Sequence, residues 1–584
     1  MDNAVIGQIF RETGWLFELR DGASDASRSY ERARQVMLNT TQHLGAEENW
    51  PPSVQDLPPN IREDLVALIH DGHSPTHEEA RNSVNPGLFE LLQLPDFSAT
   101  RVRLLRDKLG IESIEDLENA CHQGKVSELA EYDESTQTRM LDGITFWRST
   151  ADRHHLHIAW VKANPILEEL RNLPDVIRCS ASGCLRRWTE TVPGISLLVS
   201  TMNTAAVLDY FGSRKDVMSV TARDETTISV VLSGGLRATL RVVSDRMFPF
   251  SLAKFTGNDA HYEALCQRAK DRGLHLNEFG LYRSTEATSD PKLRVNCLGE
   301  EDLYQKLDLD FIPPELREDQ GEFAAAEEHR IPPLVEWTAL RGSLHNHSDW
   351  SDGRQTLKEM ASNAYDMGCS YWAVTDHSVT CFSGKGIDAK KLIAQINEIE
   401  LVNQLYQDAE RPFRLLSGIE MDIKAGGQLD FEDGILAQLD VVVASVHQSL
   451  GASEAEMTRR FIRAAENRQV HMLGHLSGRL LLQRDAAKVN HEAVIDACAE
   501  TGTWIELNAS PWRLDMDWRH WHYAREKGVK CVVNANAHRA EHGQYLLFGA
   551  HLARKGWLTK YDIVNTLPLK QLRAALLEKR TVRR

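Results

Sequence analysis

From Trp337 to its end, the chain repeats one kind of unit: a short apolar run that closes on polar residues able to bind metal. The runs read "GSLHNH", "YWAVTDH", "FRLLSGIEMD", "DVVVASVH", "VHMLGH", "TWIELN" and "KCVVNANAH". Helical patterns such as "TLKEMASNAYDMG" and "AEMTRRFIRAAENR" lie between them. Continuous apolar runs alternating with helices are the mark of parallel strands buried on both faces. Seven such units in series predict a parallel (β/α)7 barrel, a variant of the eight-unit barrel, with its chemistry at the C-terminal ends of the strands.

The polar residues fall at those ends. His345 and His347 are two apart on a strand and share a face, and Asp352 follows in the loop. His377 closes the second run, Glu420 the third, His447 the fourth and His475 the fifth; Asn536 and His538 close the seventh. The sixth ends in Asn508. Chance would scatter such side chains along the strands, whereas these are in phase with the strand ends. Neutral imidazoles with a few carboxylates suit zinc or manganese, with iron as a third choice. The set exceeds the needs of one ion, so two or three divalent ions are expected. His471 begins its strand and is at the wrong end. His154, His155 and His157 cluster without a carboxylate partner or a strand phase.

The rest of the chain divides by composition. Residues 1–150 carry apolar residues at three- and four-residue spacing, as in "IREDLVALIHDG", and read as helical. Residues 155–290 mix β-rich runs with helices. Residues 300–335, "PPELREDQGEFAAAEEHRIPP" at their centre, hold charge bracketed by proline pairs and read as a linker. The 584 residues carry a net charge of −17, so nucleic-acid contact would need local patches such as "CLRRW" or the tail "EKRTVRR", whose bland alternative is solvated charge. Nine cysteines without paired spacing fit a reducing cytoplasm. The early acids at the N-terminus do not read as a signal peptide, and no apolar run is long enough for a membrane span.

The order "HNH…D…DH…E…H…H…NAH" resembles the PHP (polymerase and histidinol phosphatase) metal-dependent phosphoesterase domain. The words "GIEMDI", "ASVHQS", "GHLSGRLL" and "RLDMDWR" resemble the version fused to bacterial family X DNA polymerases. Upstream, "CLRRWTETVPGISLLV", "KFTGN" and "LNEFGLY" are similar to that family's palm and thumb words, in order. The resemblance implies a multidomain α+β chain. Its parts would be a helical domain over 1–90, a helix-hairpin-helix fingers region over 91–150, a nucleotidyltransferase-like palm and thumb over 151–300, a linker over 301–336 and a distorted (β/α)7 PHP barrel over 337–584. It places the family's metal ligands on His345, His347, Asp352, His377, Glu420, His447, His475 and His538, with Asn536 where the family has an aspartate. Arg479 and Arg513 match family words and are expected to contact phosphate. Asp376 and Asp422 are candidate carboxylates for orienting the histidines.

The same resemblance exposes losses. The family's Gly-Asp-Ile-Asp motif reads Pro193-Gly194-Ile195-Ser196 here, and Thr239 stands at the third aspartate. The Gly-Ser pair that binds triphosphate is Gly183-Cys184. The hairpin positions "DLPPNI", "LPDFSA" and "AEYDES" lack the Gly-x-Gly whose N–H groups grip DNA phosphate. The expectation is a cytoplasmic, monomeric phosphoesterase that acts on DNA 3′ ends in repair as a 3′–5′ exonuclease, without polymerase chemistry. The alternatives are a small-molecule phosphoesterase, a residual polymerase or a non-catalytic DNA-binding scaffold.

Overall fold

The computed structural model describes residues 3–40, 44, 49–70, 72–288, 290–381 and 386–581. Contacts divide the chain into two compact units, Met1–Asp152 and Arg153–Arg584. None of the described helices is long and apolar enough to cross a membrane.

The first unit is helical, as its periodicity requires. Side chains stop the orphan N–H groups of successive helices: Ser24, Ser74, Ser98, Ser113 and Asp133 each accept a bond from the backbone of the turn they begin. One apolar core gathers Ile6, Phe10, Tyr30, Ile61 and Leu65, and a second gathers Leu88, Val102, Leu105, Leu117 and Ile144. Before the helix Ala99–Leu109 the chain turns at Asp96, which holds φ 63. A left-handed position that glycine usually fills thus carries a carboxylate.

The second unit begins with a five-stranded mixed sheet: β1 (Val176–Ser182), β2 (Ile195–Thr201), β3 (Val217–Arg223), β4 (Thr227–Leu232) and β5 (Arg237–Val243). Its order is β1-β2-β5-β4-β3, with β2 and β5 parallel and the other pairs antiparallel. Alternation decides its faces: Ile228, Val230 and Leu232 of β4 and Ala238, Leu240 and Val242 of β5 are buried. Helices and a small antiparallel sheet follow, around a core of Leu265, Leu281, Leu303 and Tyr304.

The stretch 301–336 corrects the reading as a linker. Helices Glu300–Lys306 and Glu322–Glu327 lie within or beside it, and the Arg317 side chain is wholly buried. Three of its charges pair inside: Arg317 reaches Glu300 at 2.5 Å, Glu315 meets Arg554 at 2.7 Å, and Glu318 meets Arg187 at 2.9 Å. The expected basic patches are absorbed too. Arg186 pairs with Glu300 at 2.6 Å, Trp188 stacks on His551, and Arg580 of the tail caps the Leu436 and Leu439 carbonyls. The final three residues of "EKRTVRR" lie outside the described residues.

The barrel has the seven strands expected: β6 (Gly342–Ser343), β7 (Tyr371–Val374), β8 (Arg414–Asp422), β9 (Val441–Ser445), β10 (Met472–Leu473), β11 (Trp504–Asn508) and β12 (Cys531–Asn534). They lie in chain order, all parallel. A parallel bridge from Asn346 to Ala537 joins the last strand's end to the first's. Tyr371, Leu416, Val443, Met472 and Val532 fill the interior, and Leu572 and Leu576 of the helix Leu569–Thr581 close its floor.

Glu300 is the keystone of the stretch that follows the small sheet. Burial alone would raise its pKa, but Arg317 and Arg186 outweigh that and hold it at about 2. A folded pKa below the ordinary value of 4.5 stabilises fully above that pH and is lost as pH falls toward 2. Glu300→Gln strands Arg317 and is expected to cost about 3–5 kcal/mol in urea unfolding at pH 7. The deficit relative to the parent should shrink as both are acidified below pH 4.5.

Candidate metal centre

Glu420 ends β8 with none of its surface exposed. A carboxylate so placed is costly unless cations or donors surround it. Its Oε2 lies 3.1 Å from His345 Nε2, 3.5 Å from His347 Nε2 and 3.0 Å from His377 Nδ1. Its Oε1 lies 2.8 Å from His475 Nε2 and 3.3 Å from His447 Nε2. Each oxygen faces its own set of imidazoles.

A further group lies around Asp352, whose oxygens approach His538 at 3.2 Å, His377 at 3.7 Å and His347 at 3.9 Å. Asn536 Oδ1 is 3.1 Å from His347 Nε2, so its amide belongs to the same cluster. The structure thus brings together all nine positions read from the strand ends. Eight of them fall into three overlapping sets of donor atoms: His347, Asp352, His377 and His538; His345, His347 and Glu420; and Glu420, His447 and His475. In each set the atoms lie within 4.8 Å of one another.

Donor chemistry supports a cation there. His345 Nε2, His347 Nδ1, His475 Nδ1 and Glu420 Oε2 are buried without a hydrogen bond among the described residues. Such groups are rare unless a ligand satisfies them. Burial pulls His475 and His377 down to about 4, which keeps them in the neutral form that binds metal. Burial also opposes charge on His345, but Glu420 and Glu506 outweigh it and push its pKa up to about 10. Positive charge is therefore favoured between those carboxylates. The backbone is bent to the same end: His475 and Asn536 hold φ 24 and 46, a region that costs a side-chain-bearing residue about 1–3 kcal/mol.

The supporting groups differ from those expected. Asp422 does serve His447, accepting its backbone N–H at 2.8 Å and lying 3.5 Å from Nδ1. Asp376 accepts instead from Ser348 N–H at 2.8 Å and from Ser351 and Gln395, which fixes the loop before Asp352. The carboxylate behind His345 is Glu506, at 2.6 Å from Nδ1, and it also accepts the His475 N–H at 2.7 Å. Gly474, just before His475, leaves no room for a side chain, since a Cβ there would meet Ser445 Oγ at 2.4 Å. Glu506 shares a strand face with Asn508, two residues on, and that alternation was the available signal. Cys381 was also missed; its thiol joins His377 and His447 within the same 4.8 Å grouping. His471 stays apart, as its strand position requires, accepting the Val442 N–H.

The two arginines part company. Arg479, expected at phosphate, is engaged by Asp517 at 2.7 Å and by the carbonyls of Arg513 and Leu514, with Glu190 of the palm-like half at 3.5 Å. It ties loops together. Arg513 lines a cavity of about 340 Å³ with Trp512, Asn536 and His538, and it makes no ion pair among the described residues. A larger cavity, of about 760 Å³, opens elsewhere on the barrel, beside Trp504 and Lys530, and holds none of the cluster.

On the mixed sheet, Ser196 and Thr239 are neighbours in register. Ser196 Oγ meets Ser182 Oγ at 2.9 Å and accepts from Arg241 at 3.3 Å, while Thr239 meets Ser229 at 3.0 Å. A glycine, Gly194, and two hydroxyls, Ser196 and Thr239, stand at the positions where the resemblance places aspartates, with the Arg241 guanidinium beside Ser196.

A parallel seven-stranded barrel crowned by histidines and carboxylates defines the class: residues 343–510 match the PHP domain, and residues 251–318 match the DNA polymerase beta thumb. Over 514 residues the chain is 33% identical to the DNA polymerase/3′-5′ exonuclease PolX of Bacillus subtilis, covering 88% of each chain. A probable phosphatase of Syntrophotalea carbinolica is 29% identical over 29% of this chain and 65% of its own. Another probable phosphatase, from Thermoanaerobacter sp., is 26% identical over 31% of this chain and 72% of its own. The chain belongs to the bacterial family X DNA polymerases that carry a C-terminal PHP domain.

Glu506→Gln keeps the shape behind His345 but removes its charge. Affinity for manganese, titrated against a chelator, is expected to fall about ten- to a hundredfold. Asn536→Asp replaces a neutral carbonyl with a charged oxygen and is expected to move the same titration the other way, by a similar factor. Coincident curves for Asn536→Asp and the parent would show that its amide takes no part.

Proposed function

We propose that the barrel is a metal-dependent phosphoesterase that cleaves nucleic acid from its 3′ end, and that the palm-like half adds no nucleotides. The observation that carries this is the arrangement about Glu420, whose Oε2 and the facing His345 Nε2 are buried without a hydrogen bond among the described residues, while its Oε1 faces His475 and His447. His345, His347, Asp352, His377, Glu420, His447, His475, Asn536 and His538 would hold the ions. Two or three ions are in keeping with the three overlapping donor sets, and zinc or manganese with the imidazole-rich donors. Bound divalent ions supply Lewis acidity toward a phosphoryl oxygen and lower the pKa of water.

The chain's own residues do the rest. Glu506 and Asp422 hold the rings of His345 and His447, which need no reorganisation on reaction. Asp376 fixes the loop that presents Asp352. Arg513, which makes no ion pair among the described residues, offers a charge-assisted contact to the phosphate. The B. subtilis relative's name carries both polymerase and 3′-5′ exonuclease, and the second of these fits the cluster. The first needs carboxylates to anchor magnesium ions, for which Gly194, Ser196 and Thr239, with Arg241 beside them, are poor substitutes. DNA contact follows from family membership, and Asp96 in a hairpin turn argues that it is weak and salt-sensitive.

A second reading, hydrolysis of a small phosphate ester, is favoured by the barrel's similarity to probable phosphatases. Manganese-loaded protein should release mononucleotides from a single-stranded 3′ end, and His345→Ala with His347→Ala should abolish this while circular dichroism stays unchanged. Wild-type turnover in the double variant would misplace the site; turnover of small esters alone would favour the second reading. Neither protein should extend a primer on a gapped duplex with magnesium or manganese.

A further inference from the structure

The cavity beside the metal centre has more than a phosphate contact. Its walls include Trp512, Tyr545 and His542, with Arg513, Gln483 and Ser510 as polar groups and Asn536 and His538 at its border with the cluster. At about 340 Å³ it is within the size range of small-ligand pockets. Trp512 is 38% exposed, unusual for a large aromatic side chain next to a buried polar centre. Tyr545 stacks on His542, with ring centres 4.6 Å apart, and His542 accepts the His538 N–H at 3.4 Å.

Two of the three clustered histidines that the strand pattern left unassigned bear on this cavity. His155 and His157, from the palm-like half, set their rings against Trp512 at 4.5 Å and 4.7 Å, both near perpendicular. His155 also bonds the Pro511 carbonyl. The loop that carries Trp512 and Arg513 is therefore held from outside the barrel. Burial keeps both rings neutral, near 4, so they act as packing groups and not as extra cations.

We infer that this cavity is a nucleotide subsite: Arg513 meets the phosphate next to the metal centre, and Trp512 and Tyr545 take one nucleobase. A site for a small polar phosphate ester has no use for an exposed aromatic wall, whereas every base has a face that stacks. Arg513 donates to the Arg479 carbonyl at 3.5 Å and makes no ion pair among the described residues, which leaves donors for one phosphate group. Gln483 and Ser510 can donate to a base edge or a sugar hydroxyl without fixing which base. The subsite rests on the phosphoesterase reading and narrows its substrate to nucleotides. His155 and His157 are positioning residues in it.

The test is equilibrium binding to the full, manganese-loaded chain, comparing thymidine 5′-monophosphate with deoxyribose 5-phosphate, which lacks the base. The nucleotide should bind about tenfold tighter. Trp512→Ala should erase that preference and leave deoxyribose 5-phosphate binding unchanged. Arg513→Gln should weaken both ligands alike. His157→Ala should lower the preference without altering metal content. Equal binding of the two ligands by the parent, or equal weakening of both by Trp512→Ala, would overturn the subsite. Hydrolysis of a 3′-terminal thymidine and of a 3′-terminal abasic residue separates this from the parent reading. Cleavage of both at one rate sinks the subsite alone; selective binding without cleavage of either sinks the phosphoesterase reading and keeps the subsite.

Discussion

Glu420 sets the terms for the barrel. A carboxylate with no exposed surface must be neutralised, and both of its oxygens face imidazoles. Five rings converge on it, from four other strand ends. Only a closed parallel sheet brings that many consecutive strand ends around one axis, because every strand points the same way. The apolar interior below excludes water, so the charges act in a low dielectric and their geometry must be right. Glu506, Asp422 and Asp376 supply that geometry by fixing rings and a loop that would otherwise turn.

The palm-like half has a structural use that does not depend on the missing acids. Glu190 faces Arg479, Trp188 stacks on His551, and Arg187 shares Glu318 with Lys555. His155 and His157 brace Trp512. Each of these joins the sheet region to a barrel loop or helix near the metal centre. Buried ion pairs add little net stability compared with apolar packing, but breaking one partner is costly. They specify position more than they add strength, and position is what loops around a metal centre require.

The barrel was legible because one signal recurred: apolar runs in phase with ligand types. Seven strands, their direction and nine cluster positions follow from it. What was illegible depended on partners distant in sequence. Glu506 sits inside a strand run and is separated from His345 by 161 residues, so only the closed barrel shows that they meet. Arg479 looked like a phosphate contact until Asp517, 38 residues away, took its guanidinium. Charges between proline pairs looked like a linker, yet Glu318 and Arg187 find each other across 131 residues. Local composition reports how polar a stretch is and not what its polarity is matched to.

The segment after β12 shows how the two halves are coupled. Asn536 and His538 leave the strand into the cluster, and a short turn, Ala540–Tyr545, then places His542 and Tyr545 in the cavity. The helix Leu546–Lys555 follows without a break, carrying Phe548 to Trp160, His551 to Trp188 and Lys555 to Glu318. Within about twenty residues one rigid path runs from a cluster position, through the cavity wall, to the palm-like sheet. A helix transmits displacement along its axis with little bending, because its backbone bonds are internal. The sheet region therefore packs against the helix whose preceding turn carries His542 and Tyr545, and His542 in turn accepts the His538 N–H. The polymerase-like half is in this sense part of the phosphoesterase, because the wall of the cavity is continuous with its packing.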